Sequence, residues 1–297
     1  MSKRGVLIIA LGNSYYGQLA ANLAASLKFT APNIPIHLVW AEDALTHLSE
    51  QKKGLFDSTQ ECPHEYFHVD RGGVERKSYV KAKTHMYDLS PFEETIFIDA
   101  DVIMCPYLTV DKMFDQLAHL DFTMENRSRV NLAEIQPGAD YLWADIQDIK
   151  KTFKISQGFL YGLHSEFVYF KRNQTVRKFF TSVKKYFKDP KVKMTHVFDG
   201  DIPDEFAFAM AMIEHGLYPH ECPFIPLYWF LTDRGKGTSM QYVHANYSGY
   251  SVGGNQTPQS VIQNYNSMAR AYFQRLGVQH PFRLIRKRSV LPSRAKM

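Results

Sequence analysis

The stretch Thr95–Pro106, TIFIDADVIMCP, carries the reading of this chain. A short apolar strand, Ile96-Phe97-Ile98, runs into Asp99-Ala100-Asp101, and a second apolar stretch, Val102-Ile103-Met104, follows. Two carboxylates one residue apart at the end of a buried strand repel each other if left dry and unpaired. A divalent cation removes that repulsion. Hard oxygen ligands suit magnesium or manganese, which also bind phosphate oxygens. A bare D-x-D also occurs as a turn with two solvated aspartates; the apolar strand leading into this one favours the metal.

Upstream, strand and helix signals alternate. Gly5–Leu11, GVLIIAL, reads as a strand buried on both faces. After the turn Gly12-Asn13-Ser14, a helical pattern runs from Tyr15 to Phe29 with Leu19, Leu23 and Leu27 on one side. A strand is expected over Ile34–Trp40, a polar helix over Leu45–Leu55, a third strand over Glu65–Asp70 and a helix over Tyr79–Asp88. Such alternation implies parallel strands with right-handed crossovers, a Rossmann-like α/β sheet flanked by helices. In such folds ligands bind at the carboxyl ends of strands, where Asp99 and Asp101 fall. GNSYYG after the first strand is not G-x-G-x-x-G, and no G-x-x-x-x-G-K-[ST] occurs, so neither a usual dinucleotide site nor a P-loop is present.

Downstream, the pattern predicts a strand over Phe167–Phe170, a basic amphipathic helix over Val176–Phe187 and a helix over Pro203–His215. A short strand Tyr242–His244, a glycine-rich loop Gly249–Gly254, a helix Gln259–Leu276 and a tail complete the chain. The expected organisation is one domain over 1–255, with a donor half 1–124 and an acceptor half 125–255, plus a C-terminal extension, 256–297. The aromatic stretch Glu125–Tyr161 reads as an acceptor-binding insertion.

Composition is that of a folded globular protein. Of 297 residues 45% are hydrophobic and 22% charged, which excludes wholesale disorder. Three cysteines form no disulfide framework and fit a reducing compartment. The apolar run Val6–Leu11 is too short for a signal peptide, and nothing approaches the roughly 20 apolar residues of a membrane span. The expected location is the cytoplasm, where the sequons at Asn126, Asn173, Asn246 and Asn255 are chance matches. Cys62, His64 and His68 lack a C-x-x-C partner and read as chance proximity, as do His215, His220 and Cys222.

The net charge of +5 is unevenly spread. Segment 171–193 holds nine basic residues against Asp189, and 283–297 holds six against none, so the rest is net negative. Such asymmetry suggests a polyanionic partner or a membrane surface, or else a solvated helix face and tail.

FIDADVIM resembles the D-x-D motif of the GT-A glycosyltransferases, and the order of motifs is similar to that of family 8, the glycogenin and galactosyltransferase-like group. That family has a lysine at a fixed distance before its D-A-D. Here KTHMYDLSPFEETIFIDAD places Lys83 sixteen residues before Asp99. SEFVYFKRNQTVRKFF, from Ser165, is similar to the family's N-S-G strand and helix, with Ser165-Glu166 in place of the usual residues. FDGDIPDEFAFAMAM resembles its acidic pair opening a helix. The family's C-terminal H-x-x-G-x-x-K-P-W is matched by YVHANYSGYSVGG at His244 only.

The resemblance, over roughly residues 5–250, implies a GT-A mixed sheet and a UDP-sugar donor with Mn2+ or Mg2+. Asp101 holds the metal, Asp99 the ribose or the metal, Ala100 lies beside the donor, and His244 completes the metal's ligands. Lys83 contacts the donor sugar or phosphate. Arg234 or Lys236, in LTDRGKGTS, replaces the missing K-P-W lysine, unless that glycine-rich loop is only a surface loop. Leu11, Asn13 and Tyr15 are expected beside the nucleotide, where Tyr15 or Tyr16 stacks on the base or else packs on the first helix. Asp204 and Glu205 either cap their helix or approach the acceptor, as general base in an inverting enzyme or as orienting groups in a retaining one.

For the acceptor, the charge map leads to a polyanion, double-stranded DNA with hydroxymethylated bases. The alternatives are a surface polysaccharide or lipid-linked glycan, and a nucleic-acid-binding protein that retains the fold without catalysis. A nucleotidyltransferase would need a basic residue in the first loop, which GNSYYG lacks.

Overall fold

The computed structural model describes residues 3–134, 140–141, 143–197, 201–219, 248–253 and 257–278. Its centre is a six-stranded sheet in the order β3-β2-β1-β6-β11-β8. The strands are β1 (Arg4–Gly12), β2 (Ile36–Glu42), β3 (Ser58–Glu61), β6 (Glu94–Ile98), β8 (Phe122–Asn131) and β11 (Phe159–Lys171). β1 runs parallel to β2 and β6, and β2 parallel to β3, whereas β11 runs antiparallel to β6 and β8. The sheet is therefore mixed.

Both faces are covered, which explains the continuous apolar runs. Val6, Ile8 and Ala10 of β1 and Ile96 and Ile98 of β6 point into one core with α1 (Ser14–Thr30), α4 (Val110–Leu117) and α8 (Gln259–Arg275). Leu7, Leu11 and Phe97 point into the opposite core with α6 (Gln174–Lys188) and α7 (Asp204–His215). Asn13 caps α1 by accepting from the Tyr15 N–H at 3.0 Å. Gly17 in α1 has no room for a side chain, because a Cβ there would overlap the Ala44 backbone. Asn173 caps α6, whose Val176, Phe179, Phe180, Val183 and Phe187 form one apolar face at helical spacing. α8 lies on α1, burying Tyr265, Ala269 and Phe273, and Tyr272 Oη donates to Met104 O at 2.8 Å.

Several sequence expectations change. The polar helix over 45–55 contracts to α2 (Glu50–Lys53), preceded by turns. Glu65–Asp70 is not a sheet strand. It is a 3-10 turn, His64–Tyr66, and β4 (His68–Asp70), which forms a separate hairpin with β5 (Glu75–Lys77). The third parallel strand is instead β3, an exposed edge strand of sequence STQE with no apolar signal. The helix over 79–88 is a 3-10 helix, Tyr79–His85, followed by α3 (Met86–Leu89). The 249–254 loop contains β12 (Gly249–Ser251), antiparallel to β7 (Val102–Met104). Stretch 125–161 contributes most of β8, the hairpin β9 (Asp140–Tyr141) with β10 (Ala144–Asp145), and α5 (Ile146–Phe153).

Candidate active site

Asp99 and Asp101 sit just past the carboxyl end of β6, in a turn closed by the Val102 N–H donating to Asp99 O at 3.1 Å. The Asp99 N–H donates to Glu166 O at 3.0 Å, so the turn is tied to β11. The 3-10 helix presents Lys83 to the same spot. Its Nζ donates to Asp99 Oδ2 at 2.6 Å and to Ser165 Oγ at 3.1 Å. The Lys83 and Asp99 side chains are only 18% and 19% exposed, so this ion pair is largely out of solvent.

Asp101 is held from the other side. Ser251 Oγ donates to Asp101 Oδ1 at 3.1 Å and accepts from the Gly253 N–H at 2.9 Å. The Val252 N–H donates to Asp101 O at 3.1 Å. A side chain at Gly253 would overlap the Asp101 carboxylate, so glycine there gives the carboxylate its place. β12 is thus the back wall of the D-A-D turn.

Five carboxylates gather around one lysine. Glu166 stands beside Asp99, and Asp204 and Glu205 open α7 nearby, close enough to act on the Lys83 charge. His164 Nδ1 lies 3.4 Å from Glu166 Oε2, long for a hydrogen bond, and that oxygen makes no hydrogen bond among the described residues. Nor does Asp204 Oδ2. Burial raises the Asp99 and Asp101 carboxyls above the usual range, against the pull of Lys83, and neighbouring carboxylates add to the rise. Burial and Asp204 push Glu205 well above its usual value. Burial alone would raise Glu166 too, but His164 and Lys83 hold it down to about 2. Lys83 keeps its proton: burial opposes its charge, and Asp99, Asp204, Glu166 and Glu205 outweigh burial.

With this geometry, similarity to solved structures is informative. No protein-family model matches the chain, and a search of curated proteins returns no match. A search of solved structures does better. The chain superposes on the bifunctional glycosyltransferase WbbM, apo form, with TM-score 0.59 and 12% identity, over 92% of this chain and 52% of that one. It therefore spans about half of WbbM's length. Mouse xyloside xylosyltransferase 1, apo form, matches with TM-score 0.51 and 14% identity over 86% of this chain and 99% of that one. The galactosyltransferase LgtC, in complex with donor and acceptor sugar analogs, matches with TM-score 0.52 and 11% identity over 90% and 95%. The chain has the GT-A fold.

In this GT-A chain, Lys83, Asp204 and Glu205 lie near the Asp99-Ala100-Asp101 turn. Leu11, next to last in β1, is buried, and Asn13 is occupied as the α1 cap. Tyr15 and Tyr16 meet edge-on at 5.8 Å and 83°, packed against the core on α1's side of the sheet. His244, Arg234 and Lys236 lie outside the described residues, as do His220 and Cys222. His215 meets Ser182 Oγ at 2.8 Å.

Sequence reasoning did not place Glu166 and His164 in the site. Their signal was present: in LHSEFVYF three polar residues, His164-Ser165-Glu166, interrupt an otherwise apolar strand. The basic helix also differs from expectation. On α6, Lys184 pairs with Asp88 and Lys185 with Glu214, while just before it Arg172 donates to the Tyr87 and Ser90 carbonyls. Much of the charge assigned to a polyanion is thus engaged within the molecule. Among the described residues no helix is long and apolar enough to cross a membrane.

Proposed function

We propose that the chain transfers a sugar from a nucleoside-diphosphate sugar to an acceptor hydroxyl with the help of a divalent cation. The observation that carries this reading is the Lys83–Asp99–Ser165 contact beside Asp101 at the carboxyl end of β6. The residues fit a hard cation. Asp99 and Asp101 offer oxygen donors, the charge of Asp101 opposes ionisation of Asp99, and His244 would add one imidazole nitrogen. Asp101 would hold the ion, assisted by Asp99 and His244, and when bound it supplies Lewis-acid stabilisation of the diphosphate leaving group.

The chain's own residues do the rest. Lys83 stays charged and fixes Asp99 toward the donor. Arg234 and Lys236 are proposed for the diphosphate, and Leu11, Asn13, Tyr15 and Ala100 for the nucleotide. The carboxyls flanking the donor sugar are pushed apart in acidity, which separates their roles. Glu166 remains an anion and offers negative charge to a sugar centre that becomes positive in the transition state. Burial and Asp204 push the Glu205 carboxyl toward its protonated form, in which it would donate a hydrogen bond and orient the sugar as in a retaining enzyme; Asp204 assists.

The test is a thermal-shift and donor-hydrolysis screen over a panel of nucleotide sugars with and without manganese. Stabilisation by one nucleotide, dependent on manganese, is expected. No response to any nucleotide sugar would overturn the reading. For the acceptor, the polyanion reading names hydroxymethylated duplex DNA, with segment 283–297 as its main remaining cationic source. A glycan acceptor is the outcome if duplex binding is absent.

A further inference from the structure

We propose a second metal site, for one zinc-class ion, built from His64 of the 3-10 turn and His68 and Glu75 of the β4–β5 hairpin, and separate from the D-A-D turn. One ligand atom from each residue lies within 4.8 Å of the others. The bonds of zinc to nitrogen and oxygen, about 2.0–2.2 Å, set its ligands roughly 3.4 Å apart, so closure takes about an ångström of side-chain movement. His64 and Glu75 are exposed and His68 half-buried, so the movement meets little obstruction and an ion can reach the site.

The local structure sets up the ligands. His64 and His68 are four residues apart across the 3-10 turn, and their rings stack at 3.4 Å and 29°. His68 Nδ1 lies 3.2 Å from His64 O and, donating to it, leaves Nε2 as the nitrogen that carries the lone pair. Metal-binding imidazoles have this backbone-anchored arrangement. The tight turn after β4 returns the chain: Gly72 and Gly73 take φ of 69° and 81°, and the Gly73 N–H donates to Asp70 Oδ1 at 2.7 Å. In the resulting register Asp70 faces Glu75 and His68 faces Lys77, so Glu75 lies diagonal to His68 on the same ladder.

Chemistry selects the ion class. Two imidazoles and one carboxylate suit zinc and its transition-metal neighbours, with the fourth position open to water, whereas the D-A-D turn offers oxygen alone. Cys62 is buried, and its sulfur is not among the ligand atoms that gather there. A hairpin of two three-residue strands is marginal by itself. Fastening it also steadies Lys77 and Tyr79, which both hold Glu42 at the end of β2.

The test uses the full, untagged chain stripped of metal. Zinc is titrated against a chromophoric chelator, and cobalt is added separately as a spectroscopic probe. One zinc equivalent, with the visible absorption of imidazole-bound, low-coordinate cobalt, is expected for the wild type and for Asp101→Asn. His64→Ala and His68→Ala should each weaken that equivalent at least about a hundredfold, and Glu75→Gln about tenfold or more. These positions are at the surface, and unchanged circular dichroism checks the fold. A wild type that binds no zinc, or a His68→Ala variant with the wild-type stoichiometry and affinity, overturns the proposal. Loss of the equivalent in Asp101→Asn alone assigns it to the D-A-D turn and overturns it equally.

Discussion

Lys83 Nζ lies 2.6 Å from Asp99 Oδ2, and this one contact joins the 3-10 helix to the end of β6. Removing the lysine leaves a buried carboxylate unpaired, which costs about 3–5 kcal/mol of stability. Lys83→Ala should therefore lower the denaturant midpoint as well as donor binding. Adding Asp99→Asn should restore much of the stability and none of the activity. A Lys83→Ala protein as stable as wild type, with unchanged donor kinetics, would show the pair to be incidental.

Metal dependence should follow pH in a defined direction. The folded-state acidities of Asp99 and Asp101 are weakened to about 7 and about 6. Both groups thus bind protons more tightly folded than unfolded. Their contribution is fully present at low pH and is lost as pH rises through those values. A cation binds the ionised form and reverses the loss. The rise in Tm caused by manganese should grow between about pH 5.5 and 7.5. A shift independent of pH over that range would mean that these carboxyls do not hold the ion.

Glu166 and Glu205 should respond differently to the same change. Glutamine reproduces the hydrogen-bond donor of a protonated carboxyl, so Glu205→Gln should keep kcat within about tenfold of wild type. Glutamine cannot replace an anion, so Glu166→Gln should lose about a hundredfold or more in kcat. Equal losses would assign both residues the same protonation state and undo the division of roles.

Duplex binding, if it occurs, should fall with salt at a log–log slope near −0.9 per phosphate contact. Removing 283–297 should flatten the slope, whereas Lys184→Glu should change it little, because Lys184 is engaged by Asp88. Absence of binding at low salt would exclude DNA as acceptor.

The sequence made the centre of the molecule legible and its edges illegible. β1, β2 and β6 are buried on both faces, and their apolar runs are the direct imprint of that burial. β3 is exposed along its length and held by backbone pairing, which leaves no mark on side-chain choice. The 3-10 helix over 79–85 carries the same residues as an α-helix would, but tertiary contacts, including Lys83 to Asp99, set its winding. At the site, the D-A-D turn and its lysine are close in sequence and were readable. Glu166 and Ser251 join them from 67 and 150 residues away, through strand pairings that no local pattern encodes.

The dependence of Asp101 on Ser251 and Gly253 also sets an order of events during synthesis. The chain emerges amino end first, and β1, β2 and β6 can pair long before residue 251 leaves the ribosome. The D-A-D turn, though already made, lacks its back wall until β12 arrives to lie against β7. A nascent or truncated chain that has most of its sheet would therefore hold a D-A-D turn without the contacts that fix the Asp101 carboxylate. Under the proposed function, transfer would begin only after residues 251–253 have joined the turn, so that shorter copies remain silent rather than consuming donor.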